Sequence, residues 1–261
     1  MRTSGYLVLC AIAAAVLAGG CGQSELTCPR VIYLDGAGWF TGHSSVRKGL
    51  EDAGYPGAFE RFHWSMGIAP LDHVSAGPGH PAAEALCQRI MDLRRASPGG
   101  QIVLVGLSSA SAIIVGALEK LTPDVSVDYV VLLSPSLASR TDLREAMRHV
   151  MFEMYVTLSH RDMLLAMGDS SGPSAGEPAG RVGFQPPYDV ACDDEGGALY
   201  SKVVHIPWKR AYAVYGWTGG HVSSTSSGFI HKVIAPRIMA TLPAGSPYAS
   251  RPRANSSLPT Q

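Results

Sequence analysis

The chain has 261 residues, 46% of them hydrophobic, which is enough to bury one sizeable core. Basic and acidic residues number 21 each, so the formal charge is zero. That balance, with no basic stripe and no acidic tail, excludes nucleic acid as a partner and argues against capture of a charged polymer.

At the N-terminus, Arg2 precedes an apolar stretch from Tyr6 to Ala18, too short for a comfortable membrane span and suited to the core of a signal peptide. The stretch ends in Leu17-Ala-Gly-Gly-Cys21, which is similar to a bacterial lipobox although Leu17 stands one residue too far from the cysteine. The sequence therefore predicts a lipoprotein-type signal over 1–20 with Cys21 as the lipidated residue. A plain signal peptide cut near Gly20 is the other reading. Both place the protein outside the cytoplasm. A lipidated Cys21 would hold it on a membrane surface of the cell envelope, and otherwise it would be periplasmic or secreted. Residues 21–30 read as a tether.

The apolar run Val31-Ile-Tyr-Leu34 predicts a first strand, ending in Asp35-Gly-Ala-Gly38. Helical spacing follows over 44–53, with Ser44 or Ser45 as the cap, then a strand over 58–64 and a Gly/Pro/His-rich loop over 65–80. Residues 81–96 read as a helix with Ala85, Leu86, Ile90 and Leu93 on its apolar face. Ile102 to Val105 is a buried strand, and Ile113 to Lys120 a helix. Val127 to Leu133 is a nearly all-apolar strand, 141–149 a helix capped by Thr141, 154–159 a strand and 211–215 a further strand. Val203-Val-His205-Ile206 also has strand character, and His231 sits in a helical run. Strands alternating with helices predict an α/β domain over 31–242 with a mostly parallel sheet and helices on both faces. Residues 168–197 form a long Gly/Pro/Ser-rich excursion, either a lid or slack, and 243–261 read as a disordered tail.

The chemistry concentrates at Gly106-Leu-Ser108-Ser109-Ala110, between a strand and a helix. Small residues two before and two after a serine allow strand and helix to approach around a strained corner. The second small position is Ala110, where glycine is usual. His160-Arg-Asp162 follows the 154–159 strand, and the Gly216-Trp-Thr-Gly-Gly220 turn delivers His221. The order Ser108, Asp162, His221 resembles the α/β-hydrolase superfamily. The resemblance spans about residues 31 to 242 and implies a compact α/β-hydrolase fold, without the antiparallel strands that open larger members. It implies a Ser108 nucleophile, a His221 base and an Asp162 acid, acting on a small-molecule acyl substrate such as a carboxylic ester. Backbone N–H groups of Ala37 and Ser109 would form the oxyanion hole. Asp35 stands where many members carry histidine.

Plainer roles stand beside these. Asp162 is also placed to cap a helix beginning at Met163, and Asp169 is a competing acid. Trp39 and Phe40 fit an acyl pocket or ordinary packing. His63, Asp72, His73 and His80 lack metal-ligand spacing, so neither metal nor other cofactor is expected. Of the mature cysteines, Cys87 reads as a buried hydrophobe, and Cys28 with Cys192 as a candidate bridge. The two departures, Ala110 and Asp35, support an alternative: a non-catalytic surface lipoprotein of the same fold that binds a ligand or partner.

Overall fold

The computed structural model describes residues 28–38, 41–65, 79–167, 176–187 and 194–242. The predicted signal, Cys21, Trp39, Phe40, Asp72, His73, Asp169, Cys192, parts of 168–197 and the 243–261 tail lie outside the described residues. The apolar runs form six strands: β1 (Arg30–Leu34), β2 (Ala58–Arg61), β3 (Ile102–Leu107), β4 (Val127–Leu133), β5 (Val150–Leu158) and β6 (Val203–Pro207). They lie in the order β2-β1-β3-β4-β5-β6, with every pairing parallel. A parallel sheet is covered on both faces, which is why β3 is apolar throughout and wholly buried.

Side chains alternate between two cores, as the two-residue period of a strand requires. Val31, Tyr33, Val103, Val105 and Val131 face Val46 and Leu50 of helix α1 (His43–Asp52), together with Phe229, Ile230 and Ile238 of the C-terminal helical segment 227–238. Ile32, Leu34, Leu104 and Leu132 face α2 (Pro81–Ala96), α3 (Ala110–Leu118) and α4 (Arg144–Arg148). This is the predicted α/β architecture of a parallel sheet between two helical layers. Cys87 is buried in the second core and carries a free thiol. Cys28 is also a free thiol, and its candidate partner Cys192 lies outside the described residues.

Gly49 marks a close approach of α1 to the C-terminal segment. A Cβ there would lie 2.6 Å from both Ser227 O and Ile230 Cβ. Glycine to alanine inside a helix ordinarily stabilises by about 1 kcal/mol. Here overpacking costing roughly 1–3 kcal/mol should outweigh that gain, so Gly49→Ala should lower the urea midpoint. A raised midpoint would mean that the two helices separate without cost.

Several elements differ from the sequence reading. The segment 211–215 is not a strand. It is part of a 3-10 helix, Arg210–Tyr215, closed by Gly216 at φ 93°. Tyr212 and Tyr215 are three apart, which suits that period, and Val203–Pro207 supplies the sixth strand instead. His221 therefore follows this helix and a glycine turn, not a strand end. Helix α1 begins at His43 after Gly42, and neither Ser44 nor Ser45 caps it. The predicted 141–149 helix shrinks to α4, because Thr141 Oγ1 donates to Ala138 O and Asp142 Oδ1 accepts from Arg144 N. In α2, Ala85 is exposed and the buried positions include Ala82, Ala83 and Cys87. The second strand ends at Arg61, three residues short of Trp64. The 168–197 excursion contains ordered structure: helices α6 (Ala179–Val182) and α7 (Asp194–Tyr200), after α5 (Met163–Met167). Gly180 N donates to Pro135 O, and Ser159 N to Gly180 O, tying α6 to the ends of β4 and β5.

Candidate active site

Parallel strands end at a common edge, and the predicted site residues gather there. Ser108 sits between β3 and α3 with φ 56°, a left-handed conformation that L-residues seldom adopt. Its N–H donates to Leu133 O at 2.9 Å, and its carbonyl accepts from Ser111 N and Ser111 Oγ. The corner is tight: a Cβ on Gly106 would fall 2.6 Å from Ile114 Cδ1 and 3.3 Å from Ala110 Cβ. The missing side chain at Gly106 thus makes room for the Ala110 methyl, and this reconciles the departure at 110 with the close crossing of strand and helix.

Asp162 is fully buried and uses both carboxylate oxygens. Oδ2 pairs with His221 Nδ1 at 2.8 Å, and Oδ1 accepts from Leu165 N at 3.1 Å. Asp162 therefore contacts both His221 and the first turn of α5. His221 is 7% exposed, and its carbonyl accepts from Ser134 Oγ at 3.2 Å and Ser224 Oγ at 2.8 Å. Ser134 is the other described non-glycine residue with positive φ, at 46°. Its N–H donates to Thr157 Oγ1 of β5. Consecutive residues at the end of β4 thus hold the two sides of the site: Leu133 O receives Ser108 N–H, and Ser134 Oγ reaches the His221 carbonyl.

Ala37 and Ser109 are both buried. The β1–β3 register pairs Leu34 with Gly106, which sets the Asp35–Gly38 turn beside the Ser108 corner. Gly38, at φ 58°, donates its N–H to Ser65 Oγ. Asp35 holds this turn. Its Oδ1 accepts from Gly42 N at 2.7 Å and His43 N at 3.3 Å, and its Oδ2 accepts from Arg61 Nε at 2.7 Å. The carboxylate occupies the N-terminus of α1 and supplies the cap expected from Ser44 or Ser45, a position where negative charge is favoured. Trp64 Nε1 donates to the Asp35 carbonyl. Beside it, burial pushes the Tyr33 phenol well above its ordinary range, and the Asp35 charge adds to the shift.

Ser134, Ser224 and the anchoring role of Asp35 were not read from the sequence. For Ser134 a signal existed, since Ser134-Pro-Ser136 directly follows the strand next to the serine corner. Two other histidines have structural contacts: His80 Nδ1 accepts from Ala82 N as the cap of α2, and His205 Nε2 accepts from Phe184 N. Burial lowers the His205 pKa, favouring the neutral ring that this acceptor role needs. Among the described residues, no group of three or more His, Cys, Asp or Glu is placed to hold a metal ion.

A parallel sheet with a left-handed serine after a central strand, and a buried Asp–His pair on later loops, is the arrangement of the α/β-hydrolase fold. No family model matches the chain, and no curated protein matches it. Among solved structures it is similar to a poly(3-hydroxybutyrate) depolymerase from Bordetella parapertussis, with 13% identity, 86% of this chain and 83% of that one covered, and a TM-score of 0.49. A cutinase-like protein from Cryptococcus sp. shows 16% identity over 84% and 97% of the two chains, with a TM-score of 0.40. A thermophilic esterase from Thermogutta terrifontis shows 13% identity over 77% and 75%, also at 0.40. These relatives are hydrolases by name. At such scores they carry no argument about this chain, and the fold assignment rests on its own sheet order and serine corner.

Proposed function

We propose that this protein is a serine hydrolase that cleaves a carboxylic ester, or a related acyl bond, through an acyl-enzyme. The observation that carries the reading is the buried 2.8 Å contact between Asp162 Oδ2 and His221 Nδ1, at the same sheet edge as the left-handed Ser108. A serine hydroxyl is a weak nucleophile without a base. In this mechanism His221 Nε2 takes the Ser108 proton as Oγ bonds to the acyl carbon, then returns it to the departing alcohol. Water repeats the sequence on the acyl-enzyme, releases the acid and restores Ser108. Asp162 holds the tautomer with the proton on Nδ1 and stabilises the imidazolium. The Ala37 and Ser109 N–H groups receive the oxyanion, and one such donor contributes roughly 3–4 kcal/mol in other enzymes. The N-terminal sequence supports an exported, Cys21-lipidated form, which the intact mass of the mature protein tests.

A fluorophosphonate probe should label the folded wild-type chain and neither Ser108→Ala nor His221→Ala. Absence of labelling in well-folded wild type would overturn the hydrolase reading and favour the ligand-binding alternative.

A further inference from the structure

Among the described residues, the exposed large hydrophobic side chains are concentrated on one rim. Six large hydrophobic side chains among the described residues are exposed, and five of them lie on the two chain segments that carry Asp162 and His221. Met163, Leu164 and Met167 lie on α5, which begins immediately after Asp162, and they are 66%, 40% and 81% exposed. Val222 directly follows His221, and Val214 lies on the 3-10 helix that leads to it. Met151, at the opposite end of β5, is the exception. Exposed apolar side chains gathered on neighbouring segments in this way mark an interaction site.

The described residues of the two segments that form this rim carry exposed charge of one sign, and the exposed Glu177 beside them is paired with Arg181 at 3.5 Å. Segments 159–167 and 207–222 carry the exposed cations Arg161, Lys209 and Arg210, along with exposed His160. Their one acid is Asp162, which is buried and paired with His221. The two segments form a continuous surface: the Arg161 guanidinium lies 4.8 Å over the Trp208 ring. Trp208 N donates to Leu158 O, and Trp208 Nε1 to Trp217 O.

We propose that this rim docks on an anionic phospholipid surface, with Met163, Leu164, Met167, Val214 and Val222 entering the acyl boundary and Arg161, Lys209 and Arg210 meeting the headgroups. Apolar side chains beside cations, with no exposed acid among the described residues of these two segments, are the combination that an anionic bilayer favours. Methionine adapts to such an irregular boundary, and a long basic side chain keeps its charge at the headgroup level while its stem stays apolar. A neutral soluble ligand would satisfy the apolar residues and leave the cations without purpose. The docking requires no turnover. It extends the proposed hydrolase reading by pointing the site at a lipid phase, so that ester substrates would be drawn from the bilayer.

Methionine oxidation tests the docking on the full chain without reference to catalysis, with Met151 as internal control. The wild-type protein would be treated with dilute hydrogen peroxide alone, with phosphatidylglycerol vesicles and with phosphatidylcholine vesicles, and each methionine followed by peptide mass spectrometry. Phosphatidylglycerol should slow oxidation of Met163 and Met167 by about fivefold or more and leave Met151 unchanged, with clearly weaker protection by phosphatidylcholine. Lys209→Gln with Arg210→Gln should remove most of the difference between the two lipids. Unprotected Met163 and Met167 would overturn the proposal, even if the N-terminus anchors the protein to the vesicles, and would leave the rim to a protein partner. Equal protection by both lipids would overturn its anionic character. Protection of Met151 to the same extent would mean general shielding and no docked rim. Loss of fluorophosphonate labelling bears on the hydrolase reading alone, so the two failures are distinguishable.

Discussion

Ser108→Gly should abolish ester turnover and, in the same molecule, raise thermal stability. Removing a nucleophile of this kind costs about six orders of magnitude in kcat. The stability gain comes from the backbone. Ser108 is held at φ 56°, where an L-residue is strained by roughly 1–2 kcal/mol and glycine is not. Greater freedom of glycine in the unfolded chain offsets part of the gain, leaving about 1 kcal/mol, or about 2–4 °C in Tm. Ser108→Ala should lose turnover equally without the stability gain, since alanine keeps the Cβ. Turnover of a soluble ester and thermal melts of both variants test this. Retention of a thousandth of wild-type activity would place the nucleophile elsewhere, and an unchanged Tm for the glycine variant would mean the corner is not strained.

Asp162→Asn should lower kcat/KM by about four orders of magnitude with little loss of stability. The asparagine oxygen can still accept from Leu165 N, as Oδ1 does now, so α5 keeps its cap. Its NH2 group then faces His221 Nδ1 and stabilises the tautomer whose Nε2 bears the proton, which cannot act as a base. Asp162→Ala removes both contacts and should add a stability loss of about 1 kcal/mol. Comparing kcat/KM and urea midpoints of the two variants separates the tautomer from the cap. An asparagine variant within tenfold of wild type would remove Asp162 from the mechanism.

What was legible in the sequence was what short-range chemistry specifies. The β3 run, the small residues around Ser108, the cap-like position of Asp162 and the α2 boundaries all follow from neighbours a few residues apart. The sheet class followed because continuous apolar strands need cover on both faces. Where the outcome depended on distant residues, local pattern failed. The cap of α1 comes from Asp35, seven residues before Gly42, so the serines at 44 and 45 were misleading. Residues 211–215 carry β-compatible side chains, but the sheet edge is taken by Val203–Pro207, and the later segment closes as a 3-10 turn at Gly216. The Asp162–His221 bond spans 59 residues, and the Ser134 contact to the His221 carbonyl spans 87. No periodicity carries information over such distances. The order of three residue types carried it instead.

The double hold on His221 has a consequence for how the site works in time. Its ring is fixed by Asp162, and its backbone carbonyl accepts from the hydroxyls of Ser134 and Ser224. On the proposed reading, a base anchored at both ends has little left to reorganise when a substrate arrives. The ordering was completed during folding, partly by forcing Ser134 into a left-handed backbone. Dipoles that are already oriented do not have to turn as charge develops, and such preorganisation is the largest electrostatic contribution an enzyme site makes.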